Sequence, residues 1–148
     1  MAVLLDPWLP ANPQPRDRDL LELAISFVAT ACVELCESHS LHLVLGIASD
    51  PPIVRHGQTS ARFLRELLEQ LALVQGTSET PWDDLFRELP LAWTSQMRIT
   101  AVGPRPLDLA SRTGGGDEST RRRWHNLARR LVEVNVASGT LQQHFELH

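Results

Sequence analysis

The order of apolar runs in this 148-residue chain predicts an open α/β sheet, mostly parallel, with one antiparallel edge strand and helices on both faces. Three observations carry that prediction. Short, continuous apolar runs such as Ala2-Val3-Leu4-Leu5 have the pattern of strands covered on both sides. These runs alternate with longer segments whose apolar residues recur at helical spacing. One pair of runs is joined by a turn too short for a crossover, so its second member must run antiparallel at an edge.

The elements follow in order. After the first strand, Pro10, Pro13 and Pro15 with alternating charges predict a loop through residue 19, with Asp19 capping a helix that begins at Leu20. Leu20, Leu21, Ala24, Ile25, Phe27, Val28, Ala31, Cys32 and Leu35 form its wide apolar face. Leu41 to Ala48 reads as the second strand, Asp50-Pro51-Pro52 as a turn, and Ile53 to His56 as the edge strand. Ser60 or Thr59 caps a helix carrying Phe63, Leu64, Leu67, Leu68 and Leu71 that is expected to end near Gly76. Pro81 opens a shorter helix through Trp82, Leu85, Phe86 and Leu89. Met97 to Val102 is the next strand, and Gly103-Pro104-Arg105-Pro106 closes it. Residues 111 to 118 read as a mobile loop, Trp124 to Leu131 as a helix, Val132 to Val136 as the last strand and Thr140 to Leu147 as a terminal short helix.

Composition limits the function classes. A net charge of −4 argues against a general nucleic-acid binder, which needs a basic surface to offset phosphates. A chain that is 43% hydrophobic and 22% charged is globular in composition, and its apolar stretches fall well short of the ~20 residues that span a bilayer. Cys32 and Cys36 lie one helical turn apart, where disulfide geometry is seldom met, so they read as reduced core residues with no zinc site. No cofactor fingerprint follows the first strand; the run Gly114-Gly115-Gly116 lacks the lysine and the spacing of a phosphate loop. Arg121, Arg122, Arg123, Arg129 and Arg130 read as the solvated face of their helix.

Two constellations hold chemistry-bearing residues. Arg55-His56-Gly57 resembles the signature of the histidine phosphatases, in which the histidine attacks phosphorus and the arginine binds phosphate oxygens. Here the motif falls on an edge strand, not on the first strand, and no downstream histidine stands in the context that supplies that family's second histidine. Arg55 and His56 are therefore the alternative catalytic pair, and the primary expectation is that the chain is not an enzyme.

The second constellation is spread over three loops: Asp6 at the end of the first strand, Gly76-Thr77 and Thr80 between two helices, and Asp108 after the fourth strand. In chain order these resemble the three metal-binding loops of von Willebrand factor A domains, a Rossmann-like fold. Trp8 and Pro10 stand where that family has two serine ligands, which implies a degenerate metal site holding no ion. With Leu20 to Thr30, Leu41 to Gly46 and Ala61 to Ala72, the chain is similar to the carboxyl-terminal part of the bacterial domain-of-unknown-function family numbered fifty-eight. That resemblance implies a single von Willebrand A-like domain over residues 1–148, excised from a longer parent. It also implies a cytoplasmic location, tethered to the membrane through parts of the parent absent here, and a MoxR-type AAA ATPase as partner in assembly or chaperone-like activation. The loops holding Asp6, Trp8, Thr77, Thr80, Gly103 and Asp108 are expected to converge where the strand order reverses and to form a protein-interaction face. Two readings of Trp8 stand side by side there: an exposed anchor for a partner, or a ring folded back into the core.

Overall fold

A computed structural model describes the chain except for residues 39–41, 91–95, 108–117 and 139–148. Five strands, β1 (Ala2–Leu5), β2 (Leu43–Ile47), β3 (Ile53–Gly57), β4 (Ile99–Gly103) and β5 (Leu131–Asn135), form one sheet in the order β3-β2-β1-β4-β5. Only the β2/β3 pair is antiparallel, as the short proline turn requires. Among the described residues the helices are α1 (Pro15–Glu37), α2 (Ala61–Ala72), α3 (Trp82–Glu88) and α4 (Glu118–Arg130), and a 3-10 turn covers Val136–Ser138. The result is a Rossmann-like α/β sheet.

Alternation along the strands sorts the core into two layers. Val3, Leu5, Leu43, Leu45, Ile47, Val102 and Val134 face α1 and α2, meeting Ala24, Val28, Cys32, Leu67 and Leu71. Ala2, Leu4, Val44, Ile99 and Ala101 face the other way, against Trp82, Leu85 and Phe86 of α3 and Leu127 of α4. Each fully buried leucine contributes about 1.5–3 kcal/mol, which is why central strands with apolar residues on both faces hold the middle of the sheet.

Several boundaries differ from the sequence expectation. α1 begins at Pro15, not Leu20, because proline is tolerated in a first turn whose amides lack helical partners. Asp17, and not Asp19, closes that end: its Oδ2 accepts from the Gln14 amide at 2.9 Å. Ser60 caps α2 as expected, its hydroxyl accepting from the Phe63 amide at 3.1 Å, but the helix stops at Ala72. β4 lies one to two residues later than Met97–Val102 because Gly103 still pairs, with Asn135 of β5. β5 begins at Leu131, directly after α4, and Val136 already belongs to the 3-10 turn. The loop expected over residues 111–118, apart from Glu118, and the terminal helix expected over 140–147 lie outside the described residues.

Candidate functional site

The chain leaves β1 for β2 on one side and returns to β4 on the other, so the strand order reverses between β1 and β4. A crevice opens at the carboxyl ends of such a pair. Asp6 stands at this point, one residue past β1, its amide donating to the Val102 carbonyl of β4 at 2.8 Å. Its carboxylate has no exposure at all.

A buried carboxylate is several kcal/mol unfavourable unless paired. Here both oxygens are engaged. Trp82, the first residue of α3, donates its Nε1 hydrogen to Oδ1 at 3.2 Å, and Arg105 donates from Nε to Oδ2 at 3.1 Å. Nη2 of the same guanidinium donates to Thr80 Oγ1 at 2.9 Å. The guanidinium carbon also lies 4.6 Å from the centroid of the Trp8 ring, at cation–π distance. One arginine thus joins the loop after β1, the loop before α3 and its own loop after β4.

Backbone contacts fix the same arrangement. The Leu9 amide donates to the Thr77 carbonyl and the Thr77 amide to the Pro7 carbonyl, each at 2.9 Å, forming a parallel bridge between Trp8 and Thr77. Gly76 permits that approach, since a β-carbon there would lie 2.6 Å from Leu9 Cβ and 2.9 Å from Leu21 Cδ2. Gly103 does the same beneath the ion pair: a β-carbon would sit 2.9 Å from Asp6 Cβ and 3.2 Å from Oδ2. Thr77 turns its hydroxyl into its own loop, donating to the Glu79 carbonyl at 3.0 Å.

Asp6, Trp8, Thr77, Thr80 and Gly103 are therefore brought together, whereas Asp108 lies outside the described residues. Their roles differ. Asp6 and Gly103 are buried and position their neighbours, while Trp8, Thr77, Thr80 and Arg105 are half-buried and reach the surface. Trp8 answers to neither of the two sequence readings, being neither a core ring nor a freely exposed one. Arg105 and Trp82 are the participants that motif reading misses. The one available signal is chemical: an aspartate ending a buried strand needs a cation, and Arg105 stands between two prolines after the neighbouring strand.

The crevice does not fit a divalent ion. Asp6 has no uncommitted oxygen, Trp8 and Pro10 offer no side-chain oxygen, and the Arg105 guanidinium fills the space between Asp6 and Thr80. Among the described residues no group of three or more histidine, cysteine, aspartate or glutamate side chains is placed to hold a metal.

Arg55 and His56 occupy edge strand β3, opposite Leu45 and Val44 respectively, so they project to opposite faces of the sheet. Arg55 is exposed and donates from Nη1 to the Val54 carbonyl at 3.0 Å. His56 instead lies near His42, with ring centroids 5.9 Å apart. Burial first, then His56 and the Met1 amino group, push the His42 pKa below the ordinary histidine value. No helix among the described residues is long and apolar enough to cross a membrane. Compared with known proteins, the chain matches no family model, no curated protein and no solved structure.

Proposed function

We propose that the chain is a non-catalytic protein-interaction module whose partner-binding face is the crevice between β1 and β4, with the cation of a von Willebrand A-type site replaced by Arg105. The observation that carries this reading is the convergence of three loops on one guanidinium, which joins Asp6, Thr80 and Trp8. Prolines 7, 10, 104 and 106 restrict two of these loops, which lowers the ordering cost of binding. The half-buried Trp8 ring, held by Arg105, supplies an aromatic contact of the kind that dominates interfaces. The partner, a MoxR-type AAA ATPase, and the cytoplasmic location with a membrane-tethered parent rest on the resemblance to family fifty-eight alone.

The test is capture of a purified MoxR-type ATPase by the chain and by a variant combining Trp8→Ala with Glu79→Arg, both of which retain the Asp6–Arg105 pair. Loss of capture by a folded variant supports the face; undiminished capture refutes it. Incubation with an aryl phosphate is expected to give no turnover, and turnover abolished by His56→Ala would replace this reading with the phosphatase one.

A further inference from the structure

Helix α2 carries two apolar stripes. Phe63, Leu67 and Leu71 are buried in the layer it shares with α1. Ala61, Leu64, Leu68 and Ala72 recur at the alternating three- and four-residue steps of a helical stripe, so they form a second seam along another side of the same helix. The two leucines of this seam are half-buried and its two alanines exposed, and together with Arg65 and Glu69 they line a shallow surface groove.

The seam is complementary to itself. Its order is small, large, large, small, so a two-fold axis crossing the helix beside Leu67 sets Ala61 opposite Ala72 of a second copy and the leucines opposite leucines. Arg65 and Glu69 are exposed, stand one turn apart and flank the seam on the same side. Their midpoint is Leu67, level with the centre of the seam to within about one residue, or about 1.5 Å of rise. An antiparallel pair of helices keeps like flanks together, whereas a parallel pair sets opposite flanks side by side. The antiparallel arrangement therefore places each Arg65 against the other copy's Glu69.

We infer that this seam is the contact between two copies of the chain, α2 packing antiparallel on α2, with Leu64 and Leu68 at its centre and two Arg65–Glu69 contacts on its rim. The contact is formed by α2 alone and does not depend on the interaction proposed for the Arg105 crevice.

The experiment is sedimentation equilibrium of the full chain, loaded from about 10 µM to about 1 mM. A weak monomer–dimer equilibrium is expected, because a one-helix interface is smaller than the ~1,600 Å² of a standard stable contact. Arg65→Glu and Glu69→Arg each turn two attractive rim contacts per dimer into two repulsive ones. Each should weaken self-association about fivefold or more while leaving the melting temperature close to that of the wild type. Mixed in equal amounts, the two variants set acid against base again at both rim positions, and their mixed dimer should recover the wild-type affinity to within about twofold. The inference is overturned if the wild-type chain stays monomeric over the whole range, if either charge variant self-associates as tightly as the wild type, or if the mixture associates no better than the variants alone.

Discussion

The two ends of the β1/β4 pair solve opposite problems with similar residue types. At the carboxyl end an arginine is drawn into the structure by a buried carboxylate, and its charge is consumed by Asp6, Thr80 and Trp8. At the amino end Arg98, one residue before β4, stays exposed. Substitutions at the first end should therefore lower stability, and substitution of the exposed Arg98 at the second should leave it nearly unchanged.

The largest effect is expected for Arg105→Ala. It strands the Asp6 charge in a buried position, and loss of about 3–5 kcal/mol in denaturant unfolding is expected; Arg98→Ala should stay within about 0.5 kcal/mol. A loss at Arg105 no larger than that at Arg98 would erase the distinction between the two ends. Gly103→Ala should come next, at about 1–3 kcal/mol, because the new methyl must displace Asp6 Cβ or the ion pair above it.

A pH scan sharpens the comparison at the His42–His56 edge. Because the folded-state pKa of His42 lies below its unfolded value, the folded state binds fewer protons in that window. Stability from this group is then present at neutral pH and falls as pH drops through the ordinary histidine value and toward the lowered one. Melting temperature measured from about pH 7.5 to about pH 5.5 should fall more steeply for the wild type than for His42→Gln; parallel slopes would show that His42 is not the group responsible.

The smallest expected difference lies within α1. Burial first, then Cys36, raises the Cys32 thiol to about 12, whereas Cys36 is half-buried and raised less decisively. Native-state alkylation should label Cys36 first, with Cys32 reacting only as the protein unfolds. Equal labelling rates would mean that α1 opens more readily than its packing implies.

Most of the sheet is legible in the sequence because strands buried on both faces must be apolar throughout, and Ala2–Leu5 and Leu43–Ile47 are. The start of α1 is not, since Pro15 breaks or begins a helix depending on where Asp17 finds its amide. The site is legible only in part. Asp6, Trp8, Thr77, Thr80 and Gly103 follow from their positions at strand and helix ends. Trp82 reads as a core residue from its helical spacing, and nothing local reveals that its indole hydrogen serves a carboxylate 76 residues earlier. Arg105 is hidden for the same reason: its importance comes from the complete burial of Asp6, a property of the assembled sheet.

A denaturation double-mutant cycle over Asp6→Ala, Arg105→Ala and the double variant, with and without magnesium, bears most directly on the idea that Arg105 serves as the crevice's cation. The double variant should be no less stable than Arg105→Ala alone, giving a coupling of about 2 kcal/mol or more, and magnesium should leave every midpoint unchanged. Additive losses, or saturable stabilisation of the wild type by magnesium that disappears in Asp6→Ala, would contradict it.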